Sequence, residues 1–512
     1  MQEDKRDASA KWLSLLVIVV GTFMAALDSS IVNIAVVKMM SVYGVSLDEI
    51  KWVLTAYTLT LGAIVPLTGY LGEVFGCKRI FLFALTTFTI GSFLCGFAWS
   101  STAMIIFRVI QAIGGGMIMP VGMTIVMQLF PPEERGTALG FWGIAAMAAP
   151  AIGPTLGGYI IENLDWRLIF YVNVPIGILG VIIGGILLRE TPRKPFAGFD
   201  YLGLISSTLG IVSLLYVLGE GSAIDWGNIK NPLLIAVGCF SLLLFVVNEL
   251  THPDPLLELR IFKNFDFSLS QIILNILVFA LMGGMYLIPL FLQNLKGYTA
   301  METGMILFPS AIATGLMMPI GGKLFDKMGA KILVLVGLVV LAISSYALAF
   351  INLEMSRSAI TLILTVRGLG MGLVIMPITT MGMNAVPQNL AGKASALNNT
   401  LKQVVGALSV TMMTMMLQSR LNLNYSRLSE QVTPFNPAAG GIIGQMQYLY
   451  LQNGYASDEA NGVTIYSITG LVQKQAYVDA IDYVLAFTAC TVLAAIVLVL
   501  FIRSKKQEKS MD

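Results

Sequence analysis

The stretch GYLGEVFGCKR, residues 69–79, returns as GKLFDKMGAK at 322–331, and this return decides how the chain is organised. Gly69, Glu73, Gly76 and Lys78 find Gly322, Asp326, Gly329 and Lys331, each 253 residues on. The IMP ending at Pro120 recurs ending at Pro377, 257 residues on, and Gly136 finds Gly392 at 256. A near-constant offset marks two homologous halves. Repeated halves around a central pathway are a common plan for secondary transporters.

The solvent of those halves is a bilayer. Of 512 residues, 56% are hydrophobic and 12% are charged, and the mean hydropathy is +0.80. A soluble domain carries about 25% charged residues. Fifty glycines agree with this, because small residues let membrane helices approach closely. The net charge of +2 argues neither for nor against a nucleic-acid partner, and none is expected of a chain dissolved in the bilayer. Cys77, Cys95, Cys239 and Cys490 are scattered with no CxxC pair, so neither a disulfide framework nor a metal site is expected. The polar start, MQEDKRDASAKW, lacks a cleavable signal architecture, so the first span is expected to be retained.

Fourteen apolar segments approach the ~20 residues needed to span. They lie at 12–34, 51–70, 80–98, 102–123, 137–160, 169–188, 201–219, 232–251, 267–290, 303–322, 331–350, 358–384, 393–416 and 480–502. With loops assigned alternately, the side bearing both termini carries 19 of the 31 basic residues, and the other side nine. Arg108, Arg367 and Lys402 fall within spans. The positive-inside bias makes both termini cytoplasmic. Segments 201–219 and 232–251 fall outside both copies of the repeat. The expected fold class is an all-α integral membrane protein with two six-helix pseudo-repeat bundles and two inserted helices. Its expected parts are a cytoplasmic N-terminus (1–11), a first bundle (12–190), a linker with the inserted helices (191–266), a second bundle (267–503) and a cytoplasmic tail (504–512). The second bundle includes a polar extracellular stretch at about 417–479, which has no clear period and leaves room for a small hairpin or amphipathic cap.

Asp28, in LDSSIVNIA, is the most informative residue, with apolar residues for more than a dozen positions before it. A charged side chain near a helix centre costs about 2.5–3.5 kcal/mol on insertion scales. Desolvation favours the neutral acid, which suits a group that loads and unloads a proton. Arg108 lies at matching depth in the fourth span, each residue about six positions, roughly 9 Å, from the outer end. Arg108 either biases the carboxylate's charge as the protein changes state or serves as a fixed structural counter-ion; depth alone does not separate these.

The loop 69–79 sets Glu73, Lys78 and Arg79 beside Gly69, Gly72 and Gly76. The glycines permit a tight turn, and the charges can pair across a gate. Basic loop residues alone would merely fix orientation, but that role needs no matched glycines. The fifth span reads GIAAMAAPAIGPTLGGYI. Pro150 and Pro154 bend it, and Gly153, Gly157 and Gly158 give a smooth face for close packing.

Together these features resemble the major facilitator superfamily, and within it the fourteen-helix drug:proton antiporters. The resemblance runs over about 12–503. Residues 69–79 resemble the pattern G-x-x-x-[DE]-[RK]-x-G-x-[RK]-[RK], departing at Val74, where a basic residue is usual. RVIQAIGGG (108–116) resembles a pattern whose Arg is implicated in proton transfer, with Ala112 at a common glycine position. AIGPTLGG (151–158) resembles a motif diagnostic of antiport, while LDSSIVNIA and WRLIFYVNVPIG (166–177) resemble signatures of the fourteen-helix branch. The resemblance implies Asp28 and Arg108 as proton-coupling residues, gating by the two loop motifs, and a Glu73 contact to a helix end in the other half. It also implies a multi-pass protein of the bacterial cytoplasmic membrane, acting as a monomer, with no cofactor beyond the proton gradient.

Arg367 and Lys402 are candidate cavity charges, and no second carboxylate is deep: Glu249 and Glu302 lie near span ends and Glu220 at a boundary. The expected substrates are small amphipathic molecules that are neutral, zwitterionic, monocationic or anionic, rather than dications. Twenty-eight methionines, including Met412, Met413, Met415 and Met416, offer adaptable apolar lining. A dedicated metabolite, lipid or ion transporter, symport included, is the alternative; the span-five motif argues against symport. His252, the sole histidine, lies beside Pro253, and no nucleophile–base set or metal motif appears, so no enzyme is expected.

Overall fold

The fold is taken from a computed structural model, which describes residues 2–195, 198–220, 224, 227–433 and 436–502. Within its helices, the side chains of residues 2–9, 37, 47, 48, 150, 151, 154, 220, 300 and 438 lie outside the described ones. In lipid every backbone polar group needs an internal partner, and the described regular structure is helical throughout. The first half comprises α1 (Gln2–Tyr43), α2 (Leu47–Ile64), α3 (Thr68–Phe75), α4 (Cys77–Phe97), α5 (Ser101–Leu129), α6 (Arg135–Asn163), α7 (Leu168–Tyr171) and α8 (Asn173–Leu187). A hairpin of α9 (Tyr201–Glu220) and α10 (Lys230–Thr251) follows. The second half comprises α11 (Phe265–Leu290), α12 (Ala300–Met328), α13 (Ala330–Leu348), α14 (Arg357–Asn384), α15 (Ala391–Gln431), α16 (Pro437–Gln452) and α17 (Ser457–Val499).

Local chemistry explains the boundaries. Ser46, Ser100 and Ser356 cap α2, α5 and α14 by accepting a backbone N–H, and Thr299 with Glu302 forms a capping box on α12. The expected span 51–70 is interrupted at Val65–Leu67, where Pro66 has no N–H to continue the ladder. The repeated loops turn on matched glycines: Gly76 has φ +92° between α3 and α4, and Gly329 has φ +79° between α12 and α13. Side chains are strained in that backbone region.

Thirteen helical stretches among the described residues are long and apolar enough to cross a bilayer. α6 is not one of these thirteen; it has 29 residues and packs lengthwise between α1 and α12. The inserted hairpin seats α9 against α2 and α15, with α10 behind it. Thr411 of α15 donates to the Leu218 carbonyl (2.8 Å), and a Cβ at Gly62 would lie 2.9 Å from Ile211 and Leu215.

The stretch 417–479, which has no clear period in the sequence, is largely helical, with α16 (Pro437–Gln452) set between extensions of α15 and α17. α15 continues unbroken to Gln431, and α17 starts at Ser457, well before the expected span at 480. At about 1.5 Å per residue, the 41 residues of α15 extend roughly 60 Å, about twice the ~30 Å hydrocarbon core. Polar residues replace apolar ones along these helices while the backbone ladder carries on, so hydropathy falls where helicity does not. The tail 504–512 lies outside the described residues.

Candidate functional site

Asp28 and Arg108 meet. Arg108 Nη1 stands 2.6 Å from Asp28 Oδ2, and both side chains are buried. The other carboxylate oxygen, Oδ1, accepts from Gln111 Nε2 (2.8 Å) and Asn173 Nδ2 (3.0 Å). Gln111 Oε1 in turn accepts from Arg108 (2.6 Å), and Asn173 also donates to Ser92 Oγ (3.1 Å). The guanidinium lies 4.0 Å from the Tyr57 ring centroid. Such a carboxylate is held by three side-chain donors from α5 and α8, and its partner cation is held by an aromatic face from α2. A buried pair of this kind survives when its remaining lone pairs and protons are met, and losing one partner leaves an uncompensated charge.

Sequence reasoning picked out the two charges and missed Gln111, Asn173, Ser92 and Tyr57. Two signals were available. Gln111 follows Arg108 by three positions on the same helix, hence on the same face, and Asn173 sits inside WRLIFYVNVPIG.

α6 abuts this cluster and changes partner along its length. Near its start, Gly140 faces Pro319 of α12, and Gly143 faces Met318 and Met376. Further on, Gly153 faces Ser30 and Gly157 faces Ile31 of α1, just past Asp28, while nothing stands within 4 Å of a Cβ at Gly158. The side chains of Pro150 and Pro154 lie outside the described residues.

The two loop motifs lie at one end of the molecule and are not used alike. Asp326 reaches across the halves to the first turn of α6: Oδ1 accepts from Gly136 N (3.1 Å), and Oδ2 from Thr137 N (3.0 Å) and Thr137 Oγ1 (2.8 Å). Anions at a helix N-terminus are favoured by the unpaired N–H groups there. Gly322 packs directly on the Gly136 carbonyl, leaving no space for a side chain. Glu73, expected to contact a helix end in the other half, pairs with Lys194 of the linker (2.8 Å), while its Cγ lies 3.9 Å from where a Cβ at Gly392, in the first turn of α15, would stand. Gly69 still approaches α15, where its Cβ would lie 3.0 Å from Gly392 O and Lys393 Cα. A Cβ at Gly72 would lie 3.2 Å from Cys77 Sγ. Lys78 and Arg79 stay within the first half: Lys78 Nζ donates to Gly185 O (2.7 Å), and Arg79 stands 3.6 Å from Glu190. Lys331 donates to Leu500 O (2.9 Å). The linker adds a second charge here, Asp254 against the buried Lys393 of α15 (2.7 Å).

Between the bundles lies a cavity of about 260 Å³, walled by Leu61, Met119 and Met147 from the first half and by Leu277, Leu281 and Ile375 from the second. Lys402 lines it, with Asn399 and Gln403 from the same helix. Arg367 does not line it. Its guanidinium turns into the second bundle, bonding the Ala280 carbonyl and Ser345 Oγ. Depth in a span does not give the direction in which a side chain points, which is why the two cations looked alike in the sequence.

Comparison with known proteins agrees with this architecture. The Major Facilitator Superfamily profile matches residues 18–410. An "Uncharacterized MFS-type transporter YhcA" of Bacillus subtilis is 38% identical over 433 residues, covering 85% of this chain and 81% of that protein. The "Multidrug export protein EmrB" of Escherichia coli K12 is 30% identical over 475 residues, 92% of each chain. The solved proton:xylose symporter XylE superposes with a TM-score of 0.59 at 14% identity, covering 96% of this chain and 95% of that one, a likeness of fold. A multi-pass helical protein matched over most of its length by the family profile and its relatives, this chain belongs to the major facilitator superfamily.

Proposed function

We propose that this protein exports small amphipathic compounds across the bacterial cytoplasmic membrane in exchange for protons. The observation that carries the reading is Asp28, a deep carboxylate whose oxygens are both occupied by neighbours from α5 and α8. EmrB, a relative matched along 92% of this chain, bears the name of a multidrug exporter, which supports a drug-like substrate.

The proposed cycle follows from charge. Ionised Asp28 ties α1 to α5 through Arg108. A proton arriving from outside neutralises the acid and takes away the charge that holds the guanidinium. α1 then shifts against α5, and with it α6, which lies on α1 at Gly153 and Gly157. Because α6 also meets α12 at Gly136 and Gly140, that shift loosens the contact between the halves. The end carrying both loop motifs is cytoplasmic, a reading supported by the excess of basic residues on that side. The tight α6–α12 and α3–α15 contacts there correspond to a closed inner gate. α6 is the fourteenth span, both termini are cytoplasmic, and no cofactor beyond the proton gradient is needed.

Inverted vesicles energised by respiration test this. Transported compounds are expected to collapse the pH gradient with the wild-type protein and to leave it intact with Asp28→Asn. Export by Asp28→Asn at normal proton stoichiometry overturns the assignment.

A further inference from the structure

The central cavity holds a cation with no counter-charge. Lys402 lines it beside Asn399 and Gln403, and among the described residues no hydrogen bond or ion pair involves its ammonium group. None of the residues lining the cavity is acidic. Asp28 cannot serve, because both its oxygens are bonded inside the first bundle. Arg367, the other deep cation of the second half, is bonded to Ala280 and Ser345, so Lys402 differs from it in having been left free. An ammonium in an apolar membrane cavity is costly unless something pairs with it. Nothing in the walls does, so an anionic group on a ligand is the partner that would favour the charged form of Lys402 there.

We infer that the cavity binds amphipathic monoanions, a carboxylate or sulfonate on a compact apolar body, with Lys402 as the charge partner and Asn399 and Gln403 as flanking hydrogen-bonding groups. This rests on the export reading and narrows its substrate class. The three residues sit at i, i+3 and i+4 on α15, so they share one face; Asn399 Nδ2 gives one hydrogen to the Ser395 carbonyl (2.9 Å) and keeps its second for a ligand. The opposite wall is apolar, with Leu61, Met119 and Met147, and suits a ring system. At about 260 Å³ the cavity lies just below the ~300–1,000 Å³ range of small-molecule sites. That favours a body of about two rings. A dication would face an ammonium and no acid.

The test is calorimetric titration of the purified full chain with naphthylacetate, naphthylacetamide and naphthylmethylamine, probes with one apolar body and a negative, neutral or positive head. Naphthylacetate is expected to bind at least about tenfold tighter than the amide, the low end for a hydrogen bond to a charged group, and the amine weakest. Lys402→Gln is expected to lower naphthylacetate to the affinity of the amide, and Lys402→Arg to keep the preference. Equal or weaker binding of the anion, no binding of any probe, or a preference that survives Lys402→Gln overturns the inference. If Lys402→Gln does not fold, the wild-type charge series alone decides. Binding is read without a gradient, so the two readings fail separately. A preserved preference with no collapse of the vesicle pH gradient removes proton-coupled export and leaves the Lys402 site standing.

Discussion

Asp28 has its Arg108 partner at 2.6 Å, both side chains buried, so its neighbours can be ranked by what their loss strands. Arg108→Ala leaves a buried carboxylate with only neutral donors and is expected to destabilise the fold by about 3–5 kcal/mol, read as a lowered unfolding midpoint in detergent. Asn173→Ala removes one hydrogen bond to a charged group, about 1.5–3 kcal/mol, and is expected to fall between Arg108→Ala and the wild type. Combining Asp28→Asn with Arg108→Gln removes both charges, so the double variant should be more stable than the sum of the single losses implies. Losses that add without interaction contradict a coupled cluster. The sequence made the two charges legible because each interrupts a long apolar run. Gln111, Asn173 and Tyr57 stayed hidden because an uncharged polar or aromatic residue in a membrane helix is ordinary until its neighbours are known.

At the scale of elements, the two copies of the loop motif have diverged in use. Asp326 caps α6 across the interface, whereas Glu73 holds the partly exposed Lys194 of the linker. Surface pairs contribute about 0–1 kcal/mol, and an N-cap about 1 kcal/mol, here one that bridges the halves. Asp326→Ala is therefore expected to slow transport more than Glu73→Gln, measured as initial export rate at equal expression; the reverse order contradicts the assignment of the gate. Gly136→Val places a side chain where Asp326 and the Gly322 carbonyl already lie, and is expected to hold α6 away from α12 and abolish transport while the protein still inserts. The repeat, its glycines and the turns at Gly76 and Gly329 were readable from spacing alone. Which copy's acid hydrogen-bonds across was not, because the linker residue Lys194 pairs with Glu73 only once the chain is folded. The lengths of α15 and α17 beyond the apolar segments were equally hidden, since polar residues end a hydropathy signal without ending a helix.

For the whole molecule, the proposed orientation puts the α15 extension outside and the linker inside. A cysteine at the exposed Ser426 should react with an impermeant thiol reagent in intact cells, and one at Lys194 only in inverted vesicles, both in a background lacking Cys77, Cys95, Cys239 and Cys490. Labelling of both from the same side contradicts the topology. The central claim is that one acid, Asp28, carries the proton exchanged for substrate. Its most direct test is proton release on binding: a transported compound is added to purified protein in weakly buffered solution and the pH is followed with a dye. The account predicts protons released by the wild-type protein and none by Asp28→Asn, with the compound still bound. Equal release from both proteins would contradict it.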